Sequence, residues 1–175
     1  MRYVTALALV ACLLFPLSAF GAGAHDDLNC VECHSIHEAK DEIIFAVPGN
    51  TVDKNPETGL PFSGVTALCL GCHQTAEKGG QDILPIDAHM SHPYGLDTVN
   101  PKVARVPDKL LREGKFECVS CHDPHPSNPN YKYLRVDTDG GSNMQVFCAV
   151  CHPRKADPSV TATPPEIFDS MNEAM

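Results

Sequence analysis

Apolar residues are spread unevenly along this chain. From Tyr3 to Phe20 they are almost continuous, and no later stretch is apolar and long enough to span a bilayer. That run follows one basic residue, Arg2, and ends at the small-x-small site Ala22-Gly23-Ala24. Residues 1–24 are therefore expected to be a cleaved secretion signal that leaves His25 first in the mature chain. An uncleaved membrane anchor is the plainer alternative. Leu9-Val10-Ala11-Cys12 resembles a lipobox, but a lipobox ends the apolar run, and here the run continues from Leu13 to Phe20.

Beyond the signal, periodic segments are short and separated by breakers. A helix is predicted from about Val65 to Lys78, with Ser63 as cap and Gly79-Gly80 as stop. Asp108 to Glu113 predicts a shorter one closed by Gly114. Ser142 caps a third that carries Cys148 to His152 and is stopped by Pro153. Thr163-Pro164-Pro165 starts a last helix, running to about Ala174. Tyr131 to Val136 alternates weakly, as a strand or an extended arm. Segments 48–61 and 97–107 are rich in Pro, Gly, Asn and Asp and predict loops. The fold class is thus mainly α with much irregular structure and little or no β-sheet.

The cysteines change this picture. Cys12 belongs to the signal, and the other eight form four pairs, each followed at once by histidine. They are Cys30-Val-Glu-Cys33-His34, Cys69-Leu-Gly-Cys72-His73, Cys118-Val-Ser-Cys121-His122 and Cys148-Ala-Val-Cys151-His152. An exported protein makes disulfides the default, but a disulfide framework needs no histidine after every pair. With nine histidines in 175 residues, four such coincidences would arise by chance roughly once in 10⁵. A zinc ribbon also uses C-x-x-C, without requiring the trailing histidine. Cys-x-x-Cys-His is instead the attachment signal of a c-type haem, in which two thiols bond the porphyrin and the imidazole binds the iron.

Four covalently attached haems are therefore expected, with His34, His73, His122 and His152 as proximal ligands. Side chains alone would make a poor core for the mature chain. At roughly 38 residues per haem, the polypeptide wraps a stack of four porphyrins, and the apoprotein is expected to be largely unfolded.

Five histidines remain for the opposite face of each iron: His25, His37, His89, His92 and His125. Cys33-His34-Ser-Ile-His37 repeats the C-H-x-x-H pattern of Cys121-His122-Asp-Pro-His125, and a plain C-x-x-C-H follows each. The chain reads as two di-haem units, about 25–74 and 115–155, joined by a middle segment, 75–114, and trailed by a tail, 156–175. Residues three apart on a helical turn point in about the same direction, so His125 cannot easily reach the far face of the iron that His122 holds. It binds a neighbouring haem if it binds one at all. His37 and His125 lead by their repeated position, and His92, aimed by Pro93, comes next. His25 and His89 compete for the fourth place. Met90 and Met144 are candidates for the sixth position, but the histidines suffice without them.

The formal charge is −9, and loss of Arg2 with the signal makes it −10. That disfavours nucleic acid and anionic membranes and favours redox-partner proteins with a basic docking face. The mature protein is expected to be soluble and exported, in the periplasm or at the cell surface.

The doubled motif, with Phe147-Cys148-Ala-Val-Cys151-His152 after Cys118–His125 and Ser91-His92-Pro93 upstream, resembles the paired CXXCH multihaem cytochromes c. The resemblance covers about 88–155 well and 25–75 more loosely, since His37 lacks the Asp-Pro before it. It implies electron transfer through closely packed bis-histidine haems. Some small tetrahaem relatives polymerise into extracellular haem filaments, which a histidine at the free end, such as His25, would suit. A reductase of small oxyanions or amines, with one open iron, is the enzymatic alternative. No residue stands out as catalytic.

Overall fold

The computed structural model describes residues 24–35, 37, 45, 47–75, 77 and 92–171. Residues 1–23 of the expected signal, His89 and Met90 therefore lie outside the described residues. Those described form short helices and isolated bridges, with no β-sheet among them.

Helix α1, Cys30–Cys33, is a single turn. Helix α2 spans Gly64–His73 with Ser63 at its N-cap. Helix α3 spans Met144–Cys151 with Asn143, not the expected Ser142, at its N-cap position, and a Pro153–Lys155 turn follows it at once. Helix α4, Pro158–Thr161, begins with the Asp157 carboxylate accepting from Ser159 N. Three attachment motifs thus ride on helices. The third, Cys118–Ser120, is a single 3-10 turn that packs against α2.

Helix α2 is the centre of the small apolar core. Thr66, Ala67 and Leu70 are its buried positions, and Ala67 and Leu70 pack with Phe62 and the half-buried Tyr94. Two glycines let other chain segments come close to it. Gly64 has φ +59°, and a Cβ there would lie 2.4 Å from Glu117 Oε1. A Cβ on Gly71 would lie 2.8 Å from the Pro48 carbonyl oxygen. Glu117 uses the space at Gly64: its carboxylate accepts from the Val65 and Thr66 amides at the open end of α2. The residue before the third motif therefore caps the helix that carries the second.

Several expected elements differ. Asp108–Leu110 is one 3-10 turn, and Leu111 and Arg112 leave it, Arg112 pairing with Lys115 across a turn where Glu113 and Gly114 both have positive φ. At 131–136 the chain makes a 3-10 turn with left-handed Lys132 and Tyr133, then runs extended, with one bridge between Leu134 and His122.

The helix expected from Thr163 is absent at 164–169, which run without regular structure. There Phe168 N donates to the Arg135 carbonyl at 2.7 Å, and Arg135 Nε donates to the Phe168 carbonyl at 3.0 Å. Backbone groups that a helix would use internally are committed to the rest of the molecule, and Pro165 disfavours helical geometry at Pro164. Helix α2 ends at His73, with Gln74 and Thr75 already outside it, short of the expected Lys78; the expected stop at Gly79-Gly80 lies outside the described residues.

Candidate haem-binding site

None of the eight motif cysteines forms a disulfide, so the disulfide framework is not adopted. Among the described residues, no three His, Cys, Asp or Glu side chains converge as a zinc site would require. The thiols instead link successive motifs. Cys33 feels the charge of Cys72, and Cys69 is hydrogen-bonded to Cys118, which holds the Cys69 thiol well above its ordinary value. Burial pushes Cys121 up to about 12, and the neighbouring Cys151 and Cys118 add to the shift. First, second, third and fourth motifs are thus neighbours in that order.

The imidazoles pair across these motifs. His34 and His125 stack with ring centroids 6.4 Å apart and planes 8° from parallel. His25 and His73 stand 5.9 Å apart at 32°, and His92 and His152 6.4 Å apart at 66°. Two imidazoles on opposite faces of one metal, with bonds of about 2 Å and ring centres about 1.2 Å beyond the nitrogens, would have centroids about 6.4 Å apart. The three pairs match that spacing. Each contains one motif histidine and one of the five spare ones.

Hydrogen bonds orient these rings. A carbonyl oxygen can only accept, so an Nδ1 facing one carries the proton, which leaves Nε2 with its lone pair for a metal. His122 Nδ1 donates to the Lys132 carbonyl at 2.9 Å, and His152 Nδ1 to the Val103 carbonyl at 3.2 Å. His92 Nδ1 donates to the carbonyl of Pro93 at 3.2 Å. His125 Nδ1 faces the Asp123 carboxylate at 2.8 Å. A carbonyl or carboxylate behind the ring is the usual support of a metal-binding histidine.

Each spare histidine of these pairs has its own anchor. The His92 segment is pinned where buried Asn55 donates to the carbonyls of Tyr94 and Gly95, at 2.8 and 3.1 Å. Leu96 and Phe116 exchange both backbone hydrogen bonds, which sets the His92 ring against Phe116. His25 N donates to the Tyr133 hydroxyl at 3.1 Å, and that hydroxyl donates to Asp26 at 3.0 Å. The N-terminal turn is thereby tied to the second half of the chain. Beside the fourth motif, Lys102, Arg105, Arg154 and Lys155 line a cavity of about 290 Å³ with Cys151 and His152. Such a basic rim in an acidic chain suits a cofactor that carries carboxylates.

His37 is exposed, and no ring stacks on it among the described residues. Among the described residues His125 crosses to the first motif, and no matching contact is seen at His37. His122 makes no ring contact among the described residues, though it lies close enough to His73 and His25 for their charges to act on one another. Met144 is exposed at the start of α3, away from the motif end of that helix. Sequence reasoning missed Glu117 and Arg135, whose partners lie far along the chain. It also missed the use of the tail, which holds Asp123 through Ser170. Only the Asp-Pro spacing before His125 hinted at a special role for Asp123.

The Cys-x-x-Cys-His motifs, with their thiols unpaired, indicate covalently bound haem c, and their pairing suggests a multihaem c-type cytochrome involved in electron transfer. Residues 109–157 match the family model of the doubled CXXCH motif, which supports the paired CXXCH cytochrome c family. No curated protein and no solved structure matches the chain.

Proposed function

We propose that this chain is a tetrahaem electron carrier acting outside the cytoplasm. The observation that carries the proposal is the set of opposed imidazoles at 5.9–6.4 Å. Cys30, Cys33, Cys69, Cys72, Cys118, Cys121, Cys148 and Cys151 would hold the four haems. His34 with His125, His73 with His25, and His152 with His92 would ligate three irons. His122 would share the remaining iron with His37 or His89. A haem with two imidazoles has no open site for substrate and supplies only a one-electron couple, at the lower end of the haem potential range. The adjacency of successive motifs supports one continuous path through the chain.

The secretion signal supports the periplasm or cell surface as the place of action, and among the described residues no helix is long and apolar enough to cross a membrane. The acidic charge favours a redox partner with a basic face, in a weak and salt-sensitive complex.

One observation favours a second reading, that of a small-molecule reductase: among the described residues no ring contact pairs an imidazole with His122, so the third motif is where an open iron would lie. A filament subunit is less supported, because His25 lies against His73 and Tyr133 of its own chain. Electron paramagnetic resonance of the oxidised protein separates carrier from reductase. The carrier gives only low-spin ferric signals, unchanged by cyanide or nitrite. A high-spin signal that responds to either ion would establish the open iron instead.

A further inference from the structure

The side chain behind His125 is unlike those behind the other oriented histidines. His92, His122 and His152 each lean on a neutral backbone carbonyl. His125 leans on a carboxylate, Asp123, which is fully buried. The corresponding position of the first C-H-x-x-H is Ser35, whose hydroxyl accepts only from the His37 amide, at 3.3 Å.

Asp123 is held by the C-terminal tail. Ser170 N donates to Oδ2 at 2.7 Å, and Ser170 Oγ lies 2.9 Å from both carboxylate oxygens and 3.0 Å from His125 Nδ1. The tail is locked there by the Arg135–Asp169 ion pair at 2.8 Å and by the backbone pairing of Phe168 with Arg135. Arg135 in turn donates its amide to the Cys121 carbonyl at 2.9 Å, so the clamp is built onto the third motif. The Asp123 amide donates to the Tyr133 carbonyl at 2.8 Å, which fixes the carboxylate's own backbone.

We propose that Asp123, clamped by Ser170 of the tail, is a positioning residue that orients His125 toward the haem of Cys30, Cys33 and His34 and makes that haem more negative than a neutral partner behind the ring would. The proposal rests on the bis-histidine reading above. A buried carboxylate accepting from Nδ1–H draws that proton toward itself and makes Nε2 a stronger donor. A stronger donor favours ferric over ferrous iron and lowers the potential, and it does so more in a site shielded from water. Neutral carbonyls behind His92, His122 and His152 exert a weaker pull. The tail's function is then to set how much of the carboxylate's charge reaches the ring, since each Ser170 bond draws some of it away.

The test is spectroelectrochemical titration of the full chain with its haems attached, with haem content measured in parallel. Asp123→Asn is expected to move one component to more positive potential and leave the others in place. Ser170→Ala is expected to move that same component to more negative potential, because the carboxylate loses a competing donor. His125→Met marks the component, which should be the one that moves. A fully haem-loaded Asp123→Asn protein in which no component moves, or in which all move together, overturns the proposal. If Asp123→Asn fails to load haem, Ser170→Ala decides: an unmoved component, or a shift of the opposite sign, overturns it. A high-spin signal in the unmodified protein that responds to cyanide would instead strike the bis-histidine reading, so the two failures are distinguishable.

Discussion

His34 and His125 belong to opposite halves of the chain, yet their rings lie parallel within 8° at a centroid distance of 6.4 Å. On the bis-histidine reading proposed above, that relation would tie the first attachment motif to the third by way of one iron. Removing the ring should therefore affect a haem whose cysteines are far from the mutation. His125→Ala is expected to give one five-coordinate, high-spin haem with haem content unchanged, read by electron paramagnetic resonance. The altered haem should be the one lost when Cys30 and Cys33 are both changed to serine, and not the one lost with Cys118 and Cys121.

His25 and His73 provide a second pair, at 5.9 Å. Tyr133→Phe removes the hydroxyl that receives the His25 amide and bonds Asp26. Loss of one such hydrogen bond costs about 1 kcal/mol. The N-terminal turn should loosen, with faster amide exchange at residues 25–28 and no change elsewhere, as measured by hydrogen–deuterium exchange.

Gly64 is the joint between α2 and the third motif. Gly64→Ala places a methyl against the Glu117 carboxylate at a φ of +59°. Left-handed backbone alone costs roughly 1 kcal/mol for a non-glycine residue, and displacing Glu117 removes the cap of α2. The variant is expected to unfold at lower denaturant concentration by about 2 kcal/mol or more. Gly59→Ala, also at positive φ but with no atom within 4 Å, should lose only the backbone part.

Arg135 is 3% exposed and its ion pair with Asp169 holds the tail. Asp169→Asn leaves a buried guanidinium without its counter-charge, which costs about 3 kcal/mol in buried pairs. The tail should detach, seen as proteolytic nicking after residue 157 in the variant and its absence in the parent.

The sequence made the chemistry legible because haem attachment needs covalent neighbours. Two thiols and an imidazole must be adjacent in the chain, so Cys118, Cys121 and His122 announce themselves in any fold. Distal histidines carry no such local rule. His125 stood out by its repeated spacing, His92 by the proline after it and His25 only as a surplus, and which motif each faces depends on packing between segments remote in sequence. The tail shows the same limit. Thr163-Pro164-Pro165 has the local form of a helix start, but Arg135 recruits the backbone of Phe168 and the side chain of Asp169 into tertiary pairing. Glu117 was silent for a related reason, because the amides it caps belong to α2, fifty residues earlier. Helices α2 and α3 were found from their local start signals and, for α3, from Pro153 as a stop, but α2 ends at His73, short of the expected Lys78, and Asn143 rather than Ser142 stands at the start of α3.

The central claim is that all four Cys-x-x-Cys-His motifs carry haem in one chain. Pyridine haemochrome assay combined with intact mass of the exported protein tests it most directly. The account predicts four haems per chain, added to a polypeptide that begins at His25. Fewer than four would contradict it.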